Sequence, residues 1–402
     1  MPTDDASCAA PGASRWPEER APSVCGTQWQ DDYAALHARL VARIRDEDSR
    51  RGSWRDGASS SRILIFDCRA APGQGGLADR LTGMMTALLL AILSGRAFQL
   101  DWPGVESAYA TPRLDATALL GAARAAPASE VRTLRWINRD RQELHELVSR
   151  AESLDALWPE RVLVIQSNRG FTQGLLRDSP RAAALGLTPE SAQFGCLLHF
   201  LLEPTAAALA PLAPLRDALA AATAPVVGVH VRTGDSTFAA ERGADADALA
   251  ARGATLYADH RFVFDFALRR AAALDAPAAA ARILVLSDSA ALRAHAAAAL
   301  GDRALDGASN ETVGHVARDA GALARAAGEH WLYGACDEFA YSSHSGYPRT
   351  AAARAMRPGV IWTCFHYAGA LYAEKKGGTR PKRECSGPWT VAELGDRHAA
   401  GL

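Results

Sequence analysis

Between residues 61 and 365, short apolar runs alternate with longer segments in which apolar residues recur every three or four positions. The apolar runs at 63–67, 97–101, 161–166, 226–231, 283–287, 338–342 and 360–364 are rich in Val, Ile, Leu and Phe and predict buried strands. The amphipathic segments at 80–94, 192–202, 205–222, 262–273, 290–300, 321–333 and 349–356 predict helices, the first of them stopped by Gly95. Strands alternating with helices require parallel sheets with crossover connections. The chain is therefore expected to be α/β, with two Rossmann-like, doubly wound domains facing a cleft. Residues 1–60 read as a partly disordered tail or stem with one helical patch at 33–44, where Leu36, Leu40, Val41 and Ile44 share a face. Residues 61–222 form the first domain, 223–371 the second, and 372–402 a polar extension.

Composition narrows the function classes. Of the 402 residues, 49% are hydrophobic and 22% charged, with a net charge of −1, which suits a globular chain with ample core. Basic residues cluster only at 375–383, so nucleic acid is not expected as a partner. The most apolar run, 87–93, is far short of the ~20 residues a bilayer requires, so no membrane segment is expected. The amino terminus is acidic and unlike a signal peptide, which leaves a cytosolic chain or one with an anchor upstream. Seven scattered cysteines without a CxxC pair disfavour zinc and allow up to three disulfides. The single sequon Asn310-Glu311-Thr312 is a weak vote for a secretory lumen. The Asp-x-Asp triplets at 46–48 and 245–247 do not follow apolar strands, so no metal is expected there.

Candidate chemistry gathers where apolar runs end. The stretch Pro225-Val-Val-Gly-Val-His-Val-Arg-Thr-Gly-Asp235 places His230 and Arg232 on one side of a strand just before Gly234, an arrangement suited to an anion held by the guanidinium fork. Ser287-Asp288-Ser289 closes the 283–287 run; helix capping explains it equally well. Tyr341-Ser-Ser-His-Ser-Gly-Tyr-Pro-Arg-Thr350 leads into a helix whose free N–H groups and dipole favour an anion. In the first half, Gly73-x-Gly75-x-x-Ala78, with Asp101 some twenty residues on, matches a dinucleotide fingerprint and supports an alternative, an NAD(P)-dependent oxidoreductase. Against that alternative, Cys68-Arg-Ala-Ala-Pro separates the first glycine from its strand.

Taken in order, His-x-Arg-x-Gly-Asp at 230–235, Leu-Ser-Asp-Ser at 286–289 and Ser-x-Ser-Gly-Tyr-x-Arg-Thr-Ala at 343–351 resemble the three motifs of the GDP-fucose-dependent fucosyltransferases. Gly76-Leu-Ala-Asp-Arg-Leu81 resembles that superfamily's Gly-Leu-Gly-Asn-Arg-Leu element, with Ala78 and Asp79 departing from it. The resemblance implies a glycosyltransferase-B fold with no metal or other cofactor, a nucleotide-sugar donor, and a glycan or glycoprotein acceptor. Arg232 would grip the pyrophosphate, His230 the nucleotide or phosphate, and Asp288 would lie near guanine or ribose. Ser343, Ser345 and Gly346 would wrap the phosphates; Gly75, Gly76, Asp79, Arg80, Gly234, Ser287 and Arg349 complete the expected donor contacts. Glu241 and Asp235 are the candidates for general base, and Trp136, Arg139 and Trp158 for acceptor platforms. The family's eukaryotic members suggest the Golgi or secretory lumen. A nucleotide-sugar-binding protein without turnover is a further alternative, and nothing in the sequence indicates an oligomeric state.

Overall fold

The computed structural model describes residues 14–51, 61–69, 75–137, 146, 154–234, 237, 240, 241, 243–275, 280–305, 320–342, 345–357, 360–365 and 384–389. The chain divides into two compact units, Glu18–Thr205 and a second built from residues up to Pro17 together with Ala206 onward.

In the first unit, strands β1 (Ile63–Asp67), β2 (Ala97–Asp101), β3 (Val131–Trp136) and β4 (Val162–Ser167) form a parallel sheet in the order β2-β1-β4-β3. Helices α1 (Pro17–Cys25), α2 (Gln28–Arg51), α3 (Leu77–Ser94) and α4 (Phe194–Leu201) pack in this unit. By length and composition α3 could cross a membrane, but most of it is buried as the core helix behind β1 and β4. Gly83 allows the close approach, since a Cβ there would stand 2.0 Å from the Ser167 carbonyl oxygen. Residues 17–51, expected as a tail with a helical patch at 33–44, form two helices, nearly all of them in this unit. Trp29, Tyr33, His37, Val41 and Ile44 make a buried stripe, and the Tyr33 hydroxyl donates to the Arg96 carbonyl at 2.9 Å. The stripe is faint in the sequence because three of its five members are polar-tipped and much of the rest of α2 is charged. A disulfide between Cys25 and Cys196 ties α1 to α4.

The second unit holds β5 (Val226–Val231), β6 (Arg282–Ser287), β7 (Glu338–Ser342), β8 (Ile361–Phe365) and β9 (Glu384–Trp389), in the order β9-β8-β7-β5-β6. All pairs are parallel except β8 with β9, which are also joined by a Cys364–Cys385 disulfide. Helices α5 (Ala246–Asp259), α6 (Arg261–Leu274), α7 (Ala290–Leu300), α8 (Ala320–Tyr333) and α9 (Gly346–Arg354) complete it. The sheet is buried on both faces, with Leu215, Leu332, Tyr333 and Phe339 in one core and Val227, Val229, Phe264 and Leu292 in the other. Gly228 in the central strand leaves room for Tyr333, whose ring atom would otherwise lie 2.8 Å from a Cβ. Arg15, preceding α1, belongs here: it pairs with Asp337 at 2.8 Å and donates to the Ala224 carbonyl at 2.9 Å.

Besides helices α1 and α5, which were not expected, three elements departed from expectation for local reasons. β3 is an edge strand with Arg132, Thr133 and Arg135 exposed, so it lacks an apolar run. β9 contains Gly387-Pro388, which reads as a turn. Residues 205–222 are broken at Pro211 and Pro214 into short helical pieces.

Removing the long-range crosslink by C25A/C196A is expected to lower stability by about 2–4 kcal/mol, because 171 residues separate the two cysteines. Urea unfolding followed by fluorescence checks this; an unchanged midpoint contradicts it.

Candidate functional site

The second sheet reverses direction between β5 and β7, since β6 lies on one side of β5 and β7 on the other. Connections leaving the carboxyl ends of β5 and β7 diverge at such a point and open a crevice there. Arg232 follows β5 directly, and its backbone N–H donates to the Ser342 hydroxyl at the tip of β7 at 2.9 Å. The two strand ends are thereby joined at the crevice.

Asp288, just beyond β6, organises the turn that follows. Its carboxylate accepts from the Thr233 N–H at 2.7 Å, the Thr233 hydroxyl at 2.9 Å and the Gly234 N–H at 3.0 Å, and pairs with Arg232 Nη1 at 2.9 Å. Gly234 supplies the φ of +101° that bends the chain back toward this carboxylate. Asp288 was expected beside a guanine or ribose; its carboxylate is instead occupied by the turn. Ser287 is likewise inward, donating to the Val231 carbonyl at 2.7 Å. Arg232 pairs with Asp288 yet keeps 44% of its side chain exposed to solvent.

His230, one strand position inside Val231, is 5% exposed, and its Nδ1 has no hydrogen-bond partner. Its ring lies 5.3 Å from Tyr347 and 6.4 Å, edge-on, from Tyr333. Burial pushes its pKa down to about 3, helped by the charges of Arg232 and Arg293 and opposed by Asp288. His330 also lies 5.3 Å from Tyr347, edge-on, with Nε2 2.9 Å from the Thr350 hydroxyl and Nδ1 unpartnered. Burial first, then Arg354 and His230, lowers it also to about 3. Both imidazoles are therefore neutral near pH 7. Tyr347 falls inside the 343–351 motif, whereas His330 carries no local signal, because its role comes from helices α8 and α9 meeting behind β5.

Helix α9 starts at Gly346, with Ser345 as its N-cap making no side-chain capping bond. Its first-turn N–H groups therefore lack a side-chain acceptor from the cap. Arg349 is half-buried on that first turn, and Ser343 lies outside the described residues.

Glu241 was weighed as a general base, and its surroundings argue otherwise. One oxygen accepts from the Ala290 N–H at 3.0 Å and the other from the Ser289 hydroxyl, so it closes the amino end of α7 with 1% of its side chain exposed. Asp235 lies outside the described residues. Asp245 of the second Asp-x-Asp triplet is an N-cap, accepting from the Ala248 N–H at 2.8 Å. Among the described residues, no group of three or more His, Cys, Asp or Glu side chains could hold a metal ion.

In the first unit, Gly75 has φ +73°, Asp79 accepts from the Gly76 N–H at 3.1 Å, and Arg80 lies over the Trp102 ring at 5.4 Å while its Nε donates to the Gly75 carbonyl at 3.4 Å. Gly73 lies outside the described residues. Asp101, expected to hold a ribose if the loop bound a dinucleotide, is buried and engaged by Arg69 at 2.8 Å and Arg124 at 2.8 Å. That pairing disfavours the oxidoreductase alternative. Trp136 and Trp158 are buried against each other at 6.2 Å, as core rather than acceptor platforms; Arg139 lies outside the described residues.

No protein-family model matches the chain, and no curated protein matches its sequence. Among solved structures it is similar to a variant of Arabidopsis thaliana FUT1 in complex with GDP, at 13% identity and a TM-score of 0.57, over 85% of this chain and 78% of that one. It is also similar to the fucosyltransferase NodZ from Bradyrhizobium, at 17% identity and a TM-score of 0.47, over 78% of this chain and 98% of that one. The fold is glycosyltransferase-B-like, made of two Rossmann-like α/β units.

The two neutral histidines fix a pH dependence. An unfolded imidazole titrates near 6.5, whereas His230 and His330 titrate near 3 when folded. Between those values the unfolded chain binds protons that the folded chain refuses, so stability is full above pH 6.5 and falls as pH drops below it. The expected loss approaches about 1.4 kcal/mol per histidine per pH unit. Urea midpoints at pH 7.0 and 5.0 should show the decline, and H230Q should show a shallower one; equal slopes contradict the assignment.

Proposed function

We propose that the chain is an inverting, metal-independent glycosyltransferase that transfers fucose from GDP-fucose to a glycan or glycoprotein hydroxyl. The observation that carries this reading is Arg232, half-exposed at the reversal point of the second sheet beside an unpartnered His230 Nδ1. A diphosphate seated there meets a guanidinium fork, a buried imidazole and the amino end of α9, all matched to anionic oxygens. The GDP held by the Arabidopsis protein of the same fold supports a GDP-sugar as donor.

In the reaction, the acceptor oxygen attacks the anomeric carbon from the face opposite the phosphate. The bond from that carbon to the β-phosphate oxygen breaks, GDP departs with the bonding electrons, and the configuration inverts. Charge accumulates on the departing diphosphate, and Arg232 neutralises it where other enzymes employ a divalent cation. Asp288 keeps the guanidinium oriented before the donor arrives, so little reorganisation remains for the transition state. His230 donates or accepts as a neutral ring, which holds a phosphate or nucleotide oxygen without adding charge. The acceptor's proton passes to a base, for which Asp235 is the remaining acidic candidate beside this turn. A secretory-lumen location fits the two disulfides, since such bonds persist in oxidising compartments.

Thermal-shift titration with GDP, GDP-fucose and NAD⁺ tests the reading. GDP and GDP-fucose should raise Tm and R232A should abolish the rise, whereas stabilisation by NAD⁺ alone would restore the oxidoreductase reading. Release of free fucose from GDP-fucose should persist in EDTA and fall on the order of 10²–10³-fold in R232A. A chain that binds GDP-fucose but never releases fucose, with or without a glycan array as acceptor, is a binding protein without turnover.

A further inference from the structure

Arg293, on α7, is buried to 2% of its side chain and faces Glu329 of α8, buried to 3%. The pair is bidentate, with Nη1 and Nη2 at 2.8 and 2.9 Å from the two carboxylate oxygens. The remaining edge of the guanidinium is directed elsewhere: Nε donates to the backbone carbonyl of Ser287 at 2.7 Å. Ser287 immediately precedes Asp288, whose carboxylate shapes the Arg232 turn. A continuous chain of contacts thus runs from α8 through Glu329, Arg293, the Ser287 carbonyl and Asp288 to Arg232. A buried ion pair contributes little net stability over well-packed apolar residues, so its fixed geometry is its distinctive property.

We propose that Arg293, held by Glu329, is a positioning residue that sets the tip of β6 so that Asp288 presents Arg232 to the donor diphosphate. The inference rests on the functional reading above. Neither residue touches the donor; their effect reaches it through the Ser287 backbone. The side chain of Arg325, whose Nε lies 3.4 Å from Glu329, supports the same carboxylate from one turn earlier on α8.

The test compares wild type, R293K and R293M/E329M by thermal melting, GDP titration calorimetry, fucose release from GDP-fucose, and amide hydrogen exchange of the peptide spanning 230–234. R293K keeps a charge beside Glu329 and loses the Nε contact to Ser287; the double variant removes both charges together. In either variant, Tm should stay near wild type, the Thr233 and Gly234 amides should exchange faster, and fucose release should slow by up to about 10²-fold, the cost of a small misplacement. Should the double variant fail to fold, R293K alone decides the matter. A folded variant with wild-type exchange, GDP affinity and fucose release overturns the inference while leaving the functional reading intact. A wild-type chain that binds no GDP overturns both.

Discussion

The second unit's chemistry depends on a single carboxylate. Asp288 stands just beyond β6, yet most of its hydrogen bonds go to residues that follow β5, more than fifty positions earlier in the chain. It satisfies two backbone N–H groups of a turn that would otherwise be free, and it fixes one edge of Arg232. A cation that must meet a diphosphate is more effective if its orientation is set before the ligand arrives, because no free energy is then spent ordering a long side chain at the moment of binding. The same arrangement explains why the turn requires Gly234: a residue with a Cβ would be strained at the φ that brings both N–H groups onto one carboxylate.

The organisation around this carboxylate is hierarchical. Parallel strands buried on both faces leave only their carboxyl ends to carry polar groups, and the reversal of strand order keeps the crevice between β5 and β7 from being covered by their own connections. Ser342 joins the two tips, Ser287 joins β5 to β6, and Glu241 secures the start of α7. Ser342 and Ser287 sit at strand ends, Glu241 reaches the start of α7 from the segment after β5, and each accepts from or donates to backbone groups. The residues left with exposed or unsatisfied capacity, Arg232 and His230, are those that a ligand can engage.

Much of this was legible in the sequence, and the limits have physical causes. The strands of both sheets' interiors announced themselves as apolar runs, and the polar triplets that end them marked the crevice. Periodicity reports local burial, however, and says nothing about which distant group a side chain will meet. Ser287 and Asp288 therefore read as possible ligand contacts although they bond to the β5 turn, and Glu241 read as a loop acid although Ser289 and Ala290, forty-eight and forty-nine positions away, claim both its oxygens. The same blindness hid His330. The edge strand β3 and the flanks of the 33–44 patch in α2 escaped for the opposite reason: their buried sides are narrow or carry Trp, Tyr and His, so the hydrophobic pattern was faint.

The pairing of Arg15 with Asp337 bears on how the chain is made. Asp337 also accepts from the Val226 N–H at 2.8 Å and from Arg357 at 2.6 Å, so the arginine contributed by the amino-terminal segment completes a carboxylate hub beneath the central strand. During synthesis that segment emerges 322 residues ahead of its partner carboxylate. The intervening unit, closed by its own disulfide, can collapse as it leaves the ribosome, while the flanking segment waits for the rest of its unit to be translated. The Arg15–Asp337 pair can therefore close only once the chain through residue 337 has been made.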